Sequence, residues 1–349
     1  MKAPTNNTSY GRCQSLTALK CGFWFLIAVG CVCVMVVYQF SFPYERFTFT
    51  PRFTFNYSNP PFKRINICKQ VMFNDAGVVN VSFVNGNRSE STLVALMPWL
   101  QPGGINIPQG CQPSDHVAVI VPYRDRVSHL HIFLSHIHPF LTRQRLHYGI
   151  FIIEPSSNET FNRGKLMNIG FAEALKIYNW SCFVFHDVDL LPENDKILYS
   201  CGSNPRHLSS AIDKFKYRLP YSHLFGGASS MSRKHFISVN GYSNDYWGWG
   251  GEDDDLSWRI SQSGYKIERF RHADSHYKMI PHKREKGNPV NDCRYRLLEK
   301  RLVRWKKSGL NNLNYELLSL NMTPLYVNVV VNTFENASRD EIKHICKSK

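Results

Sequence analysis

No Cys-x-x-Cys pair and no cysteine–histidine cluster in the chain has zinc-ligand spacing, so a zinc role is not expected. There is no internal repeat and no low-complexity tract, which excludes solenoids and repeat arrays. Acidic residues are in short supply: 27 Asp and Glu stand against 42 Lys and Arg, a formal charge of +15. Such a balance suits nucleic acid, a membrane surface or a phosphate-bearing substrate. No recognised nucleic-acid module is present, so nucleic acid is not expected as a partner. What remains is globular composition: 349 residues, 43% hydrophobic and 13% aromatic, give room for one large catalytic domain or two medium ones.

Long apolar runs are scarce too, with one exception. Cys21–Tyr38 (CGFWFLIAVGCVCVMVVY) is an uncharged stretch of 18 residues, near the lower end of the roughly 17–25 residues that span a bilayer as a helix. Lys2, Arg12 and Lys20 precede it with no acid among them, which leaves the N-terminus cytosolic. A cleaved signal peptide is the competing reading. Against it stand the long charged leader, the length of the run, and Tyr38-Gln39-Phe40 where a small-x-small exit belongs. The expected organisation is a cytosolic tail over 1–20, a transmembrane signal anchor over 21–40, a stem over 41–65 and a lumenal domain over 66–349. The stem is rich in Phe, Pro, Asn, Thr and Arg, without helical period. A short, aromatic-containing span suits an early-secretory membrane, and the expected location is the Golgi as a type II protein. Seven Asn-x-Ser/Thr sequons follow the anchor, at Asn56, Asn80, Asn87, Asn158, Asn179, Asn321 and Asn336. So do six cysteines, an even count that permits a disulfide framework without fixing its connectivity.

The compact pattern begins at His116. HVAVIVP (116–122) is a continuous apolar run ended by proline, the pattern of a strand buried on both faces. Residues 127–146 are helix-like, YGIFIIE (148–154) is a second buried strand, 162–178 has helical apolar spacing, and SCFVFHDVDLLP is a third strand running into an acidic turn. Strands alternating with helices over short links predict an α/β sheet with crossover helices. Ligands of such sheets sit beyond the carboxyl ends of the strands, where Arg124 and Asp189 fall.

Three segments carry chemistry. Asp187-Val188-Asp189 follows a strand, where two carboxylates can be aimed into one pocket and suit Mg²⁺ or Mn²⁺ on a diphosphate, although a lone Asp-x-Asp also describes an ordinary acidic turn. Asn244–Asp255 (NDYWGWGGEDDD) joins four consecutive acids to Trp247 and Trp249, which alternate with glycines. Aromatic faces for sugar rings and carboxylates for hydroxyls make it a carbohydrate site rather than a solvated acidic loop. The acids also suit the start of the helix that LSWRI suggests. Met279-Ile-Pro-His282 is weaker by itself, because a thioether is a poor partner for a hard divalent ion.

Together these segments resemble the β1,4-galactosyltransferase family, glycosyltransferase family 7. The resemblance rests on VPYRDR (121–126), FNRGKLMNIGF (161–171), CFVFHDVDLLPEND (182–195), PRHLSSAIDKF (205–215), LPYSHLFGG (219–227), the NDYWGWGGEDDD run and MIPH (279–282), in order over roughly residues 116–330. It implies a Rossmann-like nucleotide-sugar transferase domain of GT-A type behind a single membrane anchor. It also implies an inverting, Mn²⁺-dependent transfer from a UDP-sugar in β1,4 linkage to GlcNAc-terminated glycans. On matching positions, Pro122, Tyr123, Arg124, Arg126, Phe161 and Arg163 would hold the nucleotide, with Asp187 and Val188 beside it. Asp189, Met279 and His282 would ligate Mn²⁺. Trp249 and Gly251 would belong to a mobile loop closing over donor. Glu252 would contact the donor sugar, and Asp253 would be the general base on the acceptor hydroxyl. Tyr221, Gly227, Asp254, Arg294 and Tyr295 would form the acceptor side. The resemblance pairs Cys68 with Cys111 and Cys182 with Cys201, leaving Cys293 and Cys346 without a match but free to form an extra bridge.

One departure bears on the donor. Leu224 stands where galactose-transferring members carry tyrosine, and an aliphatic side chain leaves room for a 2-acetamido group. UDP-GalNAc is therefore the expected donor, with UDP-Gal the alternative. A non-catalytic glycan-binding homologue is the rival of another class, and the intact Asp253, Asp189 and His282 argue against it.

Overall fold

The computed structural model of the protein describes residues 66–68, 77–156, 159–283, 285 and 287–347. The expected tail, anchor and stem lie outside the described residues, as do the sequon asparagines Asn56 and Asn158. Among the described residues no helix is long and apolar enough to cross a membrane.

Among the described residues the elements used below start with α1 (Glu90–Leu96), β1 (His116–Pro122), α2 (Val127–Arg143), β2 (His147–Pro155), α3 (Arg163–Leu175) and β3 (Cys182–His186). Next come β4 (Leu190–Pro192), β5 (Arg206–His207), β6 (Ala211–Ile212), β7 (Ala228–Ser232), α4 (Arg233–Ser238) and α5 (Glu252–Gln262). The last third holds β8 (Glu268–Arg269), β9 (His276–Met279), α6 (Arg294–Glu299), α7 (Arg301–Arg304), β10 (Glu316–Met322), β11 (Val327–Asn332) and α8 (Glu335–Lys347).

Eight strands form one sheet in the order β10-β11-β2-β1-β3-β7-β5-β8. Its centre is parallel: β1 pairs with β2 from His116↔His147 to Pro122↔Ile153, and with β3 on its other side. The expected crossover architecture is present there, but the whole sheet is mixed, since β7 runs antiparallel to β3 and β10 to β11. The apolar run of β1 has partners on both faces. Val117, Val119 and Val121 join Phe133 and Ile137 of α2 in one core cluster. On the opposite face α3 lies so close that a Cβ on Gly170 would meet Ile120 Cγ2 at 2.2 Å. A strand covered on both sides has no reason to alternate, so the run is continuous.

The segment expected as one long strand, SCFVFHDVDLLP, is divided between two sheets. β3 belongs to the large sheet, whereas β4 pairs with β9 in a three-stranded sheet of order β4-β9-β6. The joint between them is Asp187-Val188-Asp189, fastened where the Asp187 amide donates to the Gly227 carbonyl at 3.0 Å. The helix expected to reach residue 146 ends at Arg143, because Arg145 adopts a left-handed φ of 52° that turns the chain into β2. The one expected over 162–178 is shorter as well, closing at Leu175.

Three disulfides are formed: Cys68–Cys111, Cys182–Cys201 and Cys293–Cys346. The third joins the residue preceding α6 to the last turn of α8. Around it Tyr246, Trp247, Leu297, Ile342 and Ile345 form a small apolar cluster.

Candidate active site

The carboxyl ends of β1 and β3 are neighbours, so the chain leaving β1 (Tyr123, Arg124, Arg126) lies beside the joint after β3. Pairing of β4 with β9 sets Leu190 opposite Met279, and the Ile280 amide donates to the Asp189 carbonyl at 2.8 Å. This register brings two distant pieces of sequence to one corner. His282 Nδ1 lies 3.2 Å from Asp189 Oδ2, and Arg126 Nη1 lies 3.4 Å from the same oxygen. Asp189 is buried, and burial followed by the neighbouring Asp187 charge pushes its carboxyl up, with His282 and Arg126 opposing. Among the described residues no three His, Cys, Asp or Glu side chains gather as a metal cage. The corner offers one carboxylate, one imidazole and one thioether, and the oxygen and nitrogen donors suit a divalent ion such as Mn²⁺.

A row of cations borders that corner. The Arg124 guanidinium donates to Glu285 Oε1 and to the Glu159 carbonyl, both at 2.6 Å, and lies over the Phe161 ring at 5.2 Å. Arg126 Nη2 is 3.8 Å from the other oxygen of Glu285. The Tyr123 hydroxyl accepts from the Arg126 amide at 3.0 Å, which braces the turn after Pro122. Arg163, at the start of α3, links the two acidic segments: its Nε donates to Asp187 Oδ1 at 2.6 Å and its Nη1 is 3.7 Å from Glu252 Oε1. Burial works against the Arg163 charge, but Asp187, Tyr242 and Glu252 together keep the guanidinium protonated.

The acidic run opens α5, where the helix N-terminus favours negative charge. Gly251 precedes it at φ 99°, and Gly248 and Gly250 are also left-handed, so a side chain at any of them would be strained. The four acids have different fates. Asp255 is turned inward to Arg259 and accepts the Tyr246 hydroxyl at 3.1 Å, so it serves the fold. Glu252 is buried with Oε2 lacking a hydrogen-bond partner among the described residues. Burial, then the Asp253 charge, pushes its carboxyl up to about 8. Asp253 accepts the Asp254 amide at 3.0 Å and lies against Gly226, where a Cβ would meet Oδ2 at 2.5 Å. Burial, then the Asp254 charge, pushes Asp253 up to about 6. Burial, then the Asp253 and Asp254 charges, push the Tyr221 hydroxyl up.

The two tryptophans also part company, which corrects the expectation that both face a sugar. Trp247 is 2% exposed and donates to Ser338 of α8 at 3.2 Å, so it is core. Trp249 is 53% exposed at the cleft, its backbone bridged to Val290 and bonded to Pro289 and Asn291. Arg294 lies beneath this loop, 3.2 Å from where a Gly250 Cβ would stand, with its guanidinium over the Tyr295 ring at 4.4 Å.

The metal corner, the arginine row and the start of α5 face one cleft of about 570 Å³. Its lining brings together Pro122, Tyr123, Arg124, Arg126, Phe161 and Arg163 with Asp187, Val188 and Asp189. It further includes Tyr221, Leu224, Gly227, Trp249, Gly251, Glu252, Asp253, Asp254, Met279, His282, Arg294 and Tyr295. Every residue to which the resemblance assigned a site role therefore lines the same hollow, whereas Trp247 and Asp255 of the acidic aromatic segment do not. Glu285 and Asn288 line it too and were not expected. They sit in a basic, irregular stretch whose periodicity carries no signal. The Asn288 side-chain oxygen is buried without a hydrogen-bond partner among the described residues.

A mixed α/β sheet with a polar cleft beyond its parallel strand ends is the arrangement of a GT-A-type glycosyltransferase. A structure of Drosophila β1,4-galactosyltransferase 7 in complex with manganese, UDP-Gal and xylobiose shares this fold. The TM-score is 0.51 and the identity 32%, over 62% of this chain and 93% of that one. The family model for the N-terminal region of glycosyl transferase group 7 matches residues 68–202, and that for the N-terminal domain of galactosyltransferase matches 206–283. The chain is 46% identical to Homo sapiens β1,4-galactosyltransferase 3 over 72% of its length, spanning 64% of that relative. It is 50% identical to Rattus norvegicus β1,4-galactosyltransferase 4 over 64% of its length, spanning 65% of that one. The chain belongs to glycosyltransferase family 7, the β1,4-galactosyltransferases.

Proposed function

We propose that the protein transfers galactose from UDP-Gal, with inversion at the anomeric carbon, to the 4-hydroxyl of a terminal GlcNAc on a glycoconjugate. In this reading residues 21–40 anchor it in a Golgi membrane with residues 66–349 lumenal. The observation that supports it most is the meeting, in one cleft, of the Asp189–His282–Met279 corner, the arginine row and the half-buried Asp253.

Arg124, Arg126 and Phe161 receive the nucleotide and its diphosphate, for which Glu285 must release the two arginines. Asp189, His282 and Met279 would hold Mn²⁺, which when bound neutralises charge on the departing diphosphate. Glu252 Oε2, a buried acceptor without a hydrogen-bond partner among the described residues, is available to a hydroxyl of the donor sugar. Asp254, Tyr221, Arg294 and Tyr295 border the acceptor. Asp253, at about 6, is a carboxylate at neutral pH and still basic enough to take a hydroxyl proton. As the acceptor oxygen bonds to the anomeric carbon, its proton passes to Asp253 and the bond to UDP breaks on the opposite face.

The donor is the finer question. The named relatives are galactosyltransferases, which favours UDP-Gal over the UDP-GalNAc expected from the sequence. Leu224 is the observation on the other side, since it lines the cleft with an aliphatic side chain. Competition between the two donors at equal concentration, with Mn²⁺ and a GlcNAc-terminated acceptor, separates them. Preferential galactose transfer supports the proposal. Preferential GalNAc transfer that Leu224→Tyr converts to galactose supports the second reading. Glycan binding without transfer from either donor would leave a binding protein and sink both.

A further inference from the structure

Residues 284–349 lie beyond both family matches, yet they supply Arg294, Tyr295 and Leu298 to the cleft. The stretch before them, 287–293, belongs to no helix or strand, and α6 itself has six residues, too few to be stable alone. Its position depends on what lies behind it. Cys293, the residue before α6, is bonded to Cys346 in the last turn of α8, and the Arg296 guanidinium donates to the Cys346 carbonyl. Leu297 faces Ile342 and Ile345 in the shared cluster, while Trp247 reaches Ser338 of α8. The same stretch carries the Trp249 loop, through Trp249 N to Pro289 O at 2.7 Å and Asn291 N to Trp249 O at 3.1 Å. Helix α8 thus backs the wall made by α6 and the Trp249 loop, and the disulfide fixes one to the other. The nucleotide side has its own frame in β1, β3 and the β4–β9 pairing, and it meets this stretch only six or more residues before Cys293, where Arg124 pairs with Glu285 and the Phe161 amide donates to the Gly287 carbonyl at 3.1 Å.

We propose that Cys293–Cys346 is a positioning bridge for the acceptor side of the cleft: it holds Arg294 and Tyr295 at the distance that sets acceptor affinity and leaves donor binding alone. This rests on the reading of that wall as the acceptor subsite. A disulfide that acts only on overall stability would change Tm and leave the balance between acceptor and donor untouched.

The test compares the full chain with its Cys293→Ser/Cys346→Ser variant, measuring KM for both substrates and, by calorimetry with UDP and Mn²⁺ present, affinity for a GlcNAc-terminated oligosaccharide. Acceptor KM should rise about tenfold, with donor KM and UDP affinity unchanged, a coupling of ordinary size for contacting groups. Tyr295→Ala should weaken acceptor binding in the parent and cost much less where the bridge is absent. An unchanged acceptor KM in a variant that still binds UDP, or an equal cost of Tyr295→Ala in both backgrounds, overturns the proposal. If the serine variant does not fold, Arg296→Met removes the second tie between α6 and α8 with every disulfide kept. It should shift acceptor KM in the same direction, and no shift would overturn the proposal. Should the parent bind both ligands without transfer, the activity reading fails, and the oligosaccharide affinities still decide the role of the bridge.

Discussion

The two walls of the cleft are built by opposite means. One is regular: Arg124 and Asp187 follow adjacent parallel strands, and Asp189 is placed against Met279 and His282 by strand pairing. The other is irregular: left-handed glycines at 248, 250 and 251, a buried Asp255–Arg259 pair and a disulfide hold Trp249, Asp253 and Arg294. In the proposed reading the nucleoside diphosphate rests on the sheet, whereas the proton and the second substrate are handled by a glycine-rich loop, the start of a helix, and a bridged segment outside both family matches.

Substitutions on the irregular wall should damage turnover or acceptor affinity, and those on the regular wall donor binding or stability. Asp253→Asn should show the largest effect, lowering kcat about a thousandfold with donor KM nearly unchanged, since a general base contributes about 10²–10⁴. A large loss of donor affinity instead would move Asp253 to the binding side of the comparison. The same carboxylate sets a pH limb. Its folded value is raised to about 6, so it is protonated below that and inactive as a base. The ratio kcat/KM should fall about tenfold per unit as pH drops below 6, and a rate profile flat down to pH 5 would exclude it. Gly251→Ala, which strains a φ of 99° and brings a Cβ within 2.7 Å of Tyr246, should lower kcat about tenfold by displacing the start of α5. Glu285→Gln should do the reverse to binding: with the ion pair to Arg124 and Arg126 weakened, donor KM should drop about threefold, measurable by initial rates. Gly170→Ala should leave kcat untouched yet lower unfolding free energy by about 1–3 kcal/mol in denaturant melts, because the new methyl overlaps Ile120.

The regular wall is also the legible one. The apolar run of β1 and the acidic turn after β3 follow from hydrophobic pattern, and the resemblance to a known family reaches most of the residues found lining the cleft, though not Glu285, Asn288 or Leu298. Pattern could not show that SCFVFHDVDLLP divides between two sheets, since β4 is defined by its partner β9 some ninety positions away. Nor could it separate Trp247 from Trp249, or Asp255 from Asp253. Neighbours of one composition face opposite ways, and the deciding partners, Ser338 and Arg259, lie on other helical turns or other helices. Glu285 escaped notice because nothing about a lone acid in a basic stretch points to two arginines more than a hundred and fifty residues earlier.

The account turns on a single displacement in which Asp253 deprotonates the 4-hydroxyl of the acceptor while UDP leaves from the opposite face. The most direct measurement is the NMR spectrum of the disaccharide unit formed from UDP-Gal and a GlcNAc-terminated acceptor by the full chain with Mn²⁺. The proposed reaction gives one product, β-linked at O4, formed about a thousandfold more slowly with Asp253→Asn. An α-linked product, or equal yield from the Asp253→Asn variant, would contradict it.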